Sequence, residues 1–317
     1  MINKSLIFLF IFSYLLITPI KAKIELDTSK IKNYFIIKEF YLEDKNRFMA
    51  IRSYEYNANK YYLIVNLDTL KTSIVTENKK KSFKKTAEKS LLKTNYNILK
   101  EKALKNSRPL ANAGINDSFH INKNEIYLTI DMCPSSKKGY EKELFEEFLN
   151  LNESKKKIPI AIAITYRWVK DHKKEFFSLI HNQNLDITWI NHSKNHYYNP
   201  KEELSKNFML NSKTNLNEEI IEVEKMLILN NQTPSMLFRL PGLVSNKKLI
   251  NSLVYDFSLI PLGTNNWLVK SNREISDGDI ILIHGNLNEK EGVKKLINKQ
   301  YNIKRFKSIY NSLLTDK

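Results

Sequence analysis

Two histidines four residues apart, His192 and His196, sit in the stretch ITWINHSKNHYYNP at residues 187–200. On one helical turn, side chains at that spacing share a face with Cβ atoms about 5–6 Å apart. Two neutral imidazoles so placed can converge on one divalent cation. The same spacing also arises on solvated turns, so the pair gains meaning only with a carboxylate, an acid and a cavity. Asp131 after an apolar run, Arg239 before Leu-Pro-Gly, and His284 after Ile280–Ile283 are the residues that can supply them.

The elements that must position these groups follow from the hydropathy pattern. From residue 124, apolar strands alternate with amphipathic helices. Strands are expected at 125–131, 158–165, 186–191, 236–239, 257–262, 279–284 and 305–309. Helices are expected at 140–151, after 165, at 217–229 with Asn215 or Asn217 as cap, at 247–255 and at 289–299. About seven βα-like units in series predict an α/β fold, a distorted (β/α) barrel with a parallel sheet. In such folds the reactive side chains gather at the C-terminal ends of strands, where Asp131, the histidine turn, Arg239 and His284 all fall. Ahead of this, aromatic and β-branched runs at 34–41, 48–56 and 61–67, with Asn57-Ala58-Asn59 as a hairpin connection, predict antiparallel strands. A helix is expected over 86–104, and Lys79–Lys85 reads as a solvated loop. The expected organisation is a signal at 1–22, a small β-rich region plus helix at 23–110, and the barrel at 111–317.

Composition narrows the class. The 317 residues carry a net charge of +17, from 51 basic and 34 acidic side chains; 42% are hydrophobic and 11% aromatic, enough for a buried core. A basic chain suits nucleic acid, anionic membranes or acidic envelope polymers. No zinc-finger spacing, RNA-binding aromatic motif or arginine-rich arm points to nucleic acid, so association with anionic envelope polymers is the expectation. Cys133 is the single cysteine, which excludes an internal disulfide. Lys4, the apolar run Leu6–Ile20 and the break at Pro19 before Ala22 have the anatomy of a secretory signal, with an uncleaved anchor as the alternative. An exported protein, periplasmic or extracellular, is expected, with no spanning segment after cleavage.

Five short stretches, in order, resemble the motifs of polysaccharide deacetylases, the NodB-homology family of carbohydrate esterases. They are Thr129-Ile130-Asp131-Met132-Cys133-Pro134, His192-Ser193-Lys194-Asn195-His196, Phe238-Arg239-Leu240-Pro241-Gly242, Thr264-Asn265-Asn266-Trp267, and Gly278-Asp279-Ile280-Ile281-Leu282-Ile283-His284. The resemblance covers roughly residues 124–312. It implies a metal-dependent hydrolase that removes acetyl groups from N-acetylated sugars of an envelope glycan, peptidoglycan or chitin-like. It implies a divalent metal, Zn²⁺ first, on His192 and His196, with Asp131 as base, His284 as acid and Arg239 orienting Asp131. Pro241, Trp267 and Leu282 would bind substrate, Trp267 and Leu282 as walls of the acetyl pocket.

One departure leaves the metal site open. The family's ligating carboxylate is the second Asp of the first motif, and Met132 stands there; a thioether is a poor ligand for Zn²⁺. Asp131 can move onto the metal. Cys133 can serve as third ligand, a thiolate being an excellent donor, although one step along a strand turns a side chain to the other face. With neither, the chain is a catalytically silent glycan-binding protein on the same fold. Read alone, Cys133 is a small buried apolar residue and Met132 a core side chain. Asn265 and Asn266 replace the acid that tunes the family's catalytic histidine. His120, His172 and His181 read as structural or exposed. Tyr197 and Tyr198 either stack on sugars or pack the turn.

Overall fold

Alternating aromatic and polar side chains draw residues 32–86 into strands. In the computed structural model, which describes residues 23–137, 139–150, 156–298 and 303–315, β1 (Lys32–Glu43), β2 (Asn46–Tyr56), β3 (Asn59–Asn66), β4 (Thr72–Thr76) and β5 (Lys84–Thr86) form one antiparallel sheet, ordered β4-β3-β2-β1-β5. The β2–β3 hairpin turns at Asn57 and Ala58, both at positive φ (48° and 60°), as a two-residue turn of matching twist requires. Lys79–Lys85 is not a loop. It forms α1 (Glu77–Lys81), capped by Thr76, and then β5, with the Lys80 ammonium 4.0 Å from the Tyr62 ring centre and paired with Glu39. The helix expected over 86–104 is shorter, α2 (Asn95–Lys105), because a 3-10 turn occupies Glu88–Leu91 and Thr94 caps the helix proper. Residues 1–22, read above as an export signal, lie outside the described residues.

The second sheet is parallel throughout. Its strands are β6 (Tyr127–Met132), β7 (Ile158–Ile164), β8 (Leu185–Asn191), β9 (Pro234–Phe238), β10 (Ile260–Pro261), β11 (Asn266–Trp267) and β12 (Ile280–His284), ordered β10-β9-β8-β7-β6-β12-β11. Against it lie α3 (Lys142–Asn150), α4 (Tyr166–Asp171), α5 (Lys173–Ile180), α6 (Leu216–Leu229, capped by Asn215), α7 (Lys247–Asn251), α8 (Lys290–Asn298) and α9 (Ile309–Leu313). The sheet curls into a half-barrel, the distorted barrel expected, with its two-residue edge strands unpaired to each other. Two expected strands differ. That at 257–262 shrinks to Ile260–Pro261, because α7 runs on as a π turn to Asp256 and Pro261 has no N–H to give a ladder. That at 305–309 is one bridge, Phe306 to Ile126, before α9 begins.

Strand periodicity sorts the second sheet's side chains. Tyr127, Ala161, Ala163, Met236, Phe238 and Ile280 join the core inside the half-barrel, while Leu128, Ile130, Met132, Ile160, Ile162, Ile281 and Ile283 pack under the helices. Two residues per repeat put Asp131 inside and send Met132 out among the helices. The N-terminal sheet completes the inner core: Met49, Ile51, Leu63 and Val65 belong to the same cluster. Buried Arg52 of β2 reaches across to Glu224 of α6 through two bonds, Nε to Oε2 at 2.7 Å and Nη2 to Oε1 at 2.8 Å, and also donates to the Phe257 carbonyl at 2.8 Å. Tyr34 donates to the same carboxylate at 2.8 Å.

The stretch between α2 and β6 adds a rung beside β10 at Ile115. Ile115 N–H donates to Pro261 O and Gly263 N–H to Ile115 O, both at 2.9 Å. Gly114 makes this approach with φ +92°, and a Cβ there would lie 2.3 Å from the Pro261 carbonyl oxygen. Gly114→Ala is therefore expected to destabilise the protein by roughly 1–3 kcal/mol, read as a lowered urea midpoint with unchanged slope.

Candidate metal centre and catalytic cleft

β6 and β12 are neighbours in register, His284 opposite Asp131, so both side chains arrive at the same end of the sheet. Asp131 is buried and Cys133 follows two residues later, on the same inward face. The strand alternation that removes Met132 thus delivers Cys133. Asn286 donates to the Cys133 carbonyl at 2.7 Å and fixes the chain there. Gly285 leaves room for Met132, whose Sδ would lie 2.7 Å from a Cβ at that position.

The histidine turn leaves β8 without forming a helix. Ser193 and His196 have positive φ, 72° and 49°, in place of the helical turn expected from their spacing. The turn is clamped from α6: Glu219 accepts the Asn195 backbone N–H at 2.9 Å and its side-chain amide at 2.6 Å. Ser193 Oγ accepts the His196 N–H at 3.2 Å. A histidine held at positive φ stores strain that the surroundings must offset, a frequent mark of a working site. The rings of His192 and His196 end 4.9 Å apart, tilted by 65°.

Donor atoms of Cys133, His192 and His196 all lie within 4.8 Å of one another. His192 Nδ1 is 2.8 Å from the Arg239 carbonyl; a proton shared there leaves Nε2 facing Cys133 Sγ at 3.4 Å and Asp131 Oδ2 at 3.7 Å. Burial holds His192 below its ordinary pKa despite Asp131, which favours the neutral, ligating form. Burial pushes the Cys133 thiol up, but the charges of His196 and His284 outweigh it and bring it down to about 7. His196 Nε2 and Asp131 Oδ1 are buried with no hydrogen-bond partner among the described residues. Such orphans are costly unless something else satisfies them. The donor set of His192, His196 and Cys133 therefore fits a divalent ion of the zinc type and could hold one.

Arg239 is fully buried, with Nη1 3.8 Å from Asp131 Oδ1 and Nη2 donating to Thr129 Oγ1 at 2.8 Å. Burial alone would raise the Asp131 carboxyl, yet Arg239 and the imidazoles hold it below the usual value. His284 is the converse: burial lowers it, while Cys133, Glu289 and Asp131 carry it well above the ordinary imidazole range. Its Nδ1 lies 2.6 Å from Glu289 Oε2, an ion-pair contact off the ring's N–H axis. A cleft of about 870 Å³ opens over the group, walled by Cys133, His196, His284, Glu289 and Trp267, with Phe208, Tyr198 and Arg167 at its sides.

Similar solved structures are carbohydrate esterases. A family 4 carbohydrate esterase from Bacillus anthracis matches with 20% identity over 67% of this chain and 89% of its own, TM-score 0.38. PdaA, a family 4 carbohydrate esterase from Bacillus subtilis, matches with 17% identity over 71% of this chain and 89% of its own, TM-score 0.43. A family 4 carbohydrate esterase from Streptomyces lividans, in complex with acetate, matches with 15% identity over 59% and 92%, TM-score 0.41. Residues 32–100, which hold the N-terminal sheet and the start of α2, match the RP012 protein N-terminal domain.

Asp131, Cys133, His192, His196, Arg239 and His284 are thus brought together. Trp267 is on the cleft wall, while Pro241 and Leu282 are buried and not among its lining residues. Tyr198 stacks on Phe208, which meets the His196 ring edge-on at 5.3 Å. His172 is structural: it stacks on Trp168, and its two ring nitrogens lie 3.0 and 2.9 Å from backbone carbonyls. Sequence reasoning missed Glu289, Glu219 and Phe208. No motif marks them; Glu289 and Phe208 are revealed by their contacts with His284 and His196, and Glu219 by its bonds to Asn195 inside the histidine turn. No helix among the described residues is long and apolar enough to cross a membrane.

Proposed function

We propose that the chain is an exported, metal-dependent deacetylase acting on N-acetylated sugars of an envelope glycan. The observation that carries this reading is the Cys133–His192–His196 donor trio at the cleft, with Asp131 and His284 beside it. His192, His196 and Cys133 would hold the ion with three protein ligands, the number that hydrolytic zinc sites use. When bound, the cation polarises an acetyl carbonyl and acidifies a water. Asp131, kept ionised by Arg239, takes the proton of the attacking water. His284, kept protonated by its neighbours, gives a proton to the departing amine nitrogen. Trp267 and Tyr198 offer aromatic faces for the sugar.

Metal analysis together with acetate release tests this. The purified protein is expected to hold one zinc and to release acetate from chitooligosaccharides or peptidoglycan, and His192→Ala to lose both. A metal-free protein releasing no acetate overturns the reading in favour of the silent glycan binder, which the loss of a carboxylate at Met132 favours.

A further inference from the structure

We propose that Glu289 is the positioning carboxylate of His284, standing outside the Thr264–Trp267 stretch and holding the ring with Nε2 toward the cleft. The inference rests on the deacetylase reading for its kinetic consequence, but its geometry is independent of it. Neither asparagine of the Thr264–Trp267 stretch reaches His284. Asn266 is fully buried and gives its amide to Asp279 at 2.9 Å. Asn265 accepts the Ile280 N–H at 2.9 Å and donates to Asp117 at 3.2 Å. The carboxylate comes instead from the loop after β12, five residues beyond the histidine it serves.

Glu289 Oε2 has two partners. It is 2.6 Å from His284 Nδ1 and accepts the Trp267 indole N–H at 2.9 Å. The tryptophan of that stretch therefore holds the acid that the stretch itself lacks. The Trp267 and His284 rings are 5.7 Å apart, so the three side chains form one triangle on the cleft wall. Its backbone is set by the start of α8, where Glu289 O accepts the Gly292 N–H at 3.3 Å. A carboxylate ion-paired beside one imidazole nitrogen restrains the ring's orientation and leaves the other nitrogen for chemistry.

Glu289→Gln keeps the size and the acceptor for Trp267 but removes the charge. It is expected to lower kcat about 10–100-fold with KM within about twofold and zinc content unchanged, and Glu289→Asp to restore part of the loss. An unchanged kcat, a loss carried by KM, or loss of zinc overturns the proposal. Should the wild-type protein release no acetate, ¹⁵N spectra of the histidine-labelled, zinc-loaded protein still decide. Glu289→Gln is expected to shift the His284 ring nitrogens and leave those of His192 and His196 in place. An unmoved His284 overturns the assignment.

Discussion

Cys133→Ala is expected to leave the purified protein without zinc, whereas Asp131→Asn is expected to keep zinc and lose acetate release by roughly 10²–10⁴-fold. The difference follows from which atoms meet. Cys133 Sγ shares a 4.8 Å sphere with donors of both histidines. Asp131 approaches His192 Nε2 at 3.7 Å with one oxygen, while the other is drawn toward Arg239. A thiol already brought down to about 7 by neighbouring histidines surrenders its proton to a cation at little cost. Removing Cys133 leaves only two imidazoles, too few for a stable zinc site. Asp131→Asn preserves shape but cannot accept a proton, and it leaves the buried Arg239 without its counter-charge. Cys133→Asp should recover zinc, since a carboxylate is also a zinc ligand. The reverse pattern, with zinc lost in Asp131→Asn and kept in Cys133→Ala, would make Asp131 the third ligand.

What was readable in the sequence were elements whose own residues decide them. Ile158–Ile164 is apolar enough to be a central strand in any context, and Asn215 caps α6 by local chemistry. The residues at strand ends followed, because parallel folds place function there. The rest depended on neighbours. Phe306 makes one bridge rather than a strand because β6 already pairs on both edges with β7 and β12. The histidine turn is bent by Glu219, 23 residues beyond His196 and invisible to local spacing. One step from Met132 turns Cys133 to the other face, whereas two steps from Asp131 bring its thiol to the inward face beside His192 and His196.

Arg52→Met is expected to cost about 3–5 kcal/mol of stability, measured by urea unfolding. The side chains of Arg52 and Glu224 are 0% and 1% exposed, so truncating one strands the other's charge in the core. Replacing both, Arg52→Met with Glu224→Leu, should return most of the loss, because apolar side chains of similar volume fill such sites well. Zinc affinity should fall in the single variant. Glu224 and Glu219 share α6, and Glu219 holds the histidine turn. A loss under about 1 kcal/mol would place the pair among ion pairs of little net worth.

The shared inner core has a consequence for dividing the chain. The stretch matching the RP012 N-terminal domain ends at residue 100, inside α2, while Met49, Ile51, Leu63 and Val65 share one core with Tyr127, Met236 and Phe238 beyond it. Dividing the chain after this stretch would leave a half-barrel with an open apolar flank and a sheet with nothing to cover. Either piece would need a replacement of matching shape before it could fold. An expression clone cut between the two stretches is expected to yield aggregate rather than folded protein.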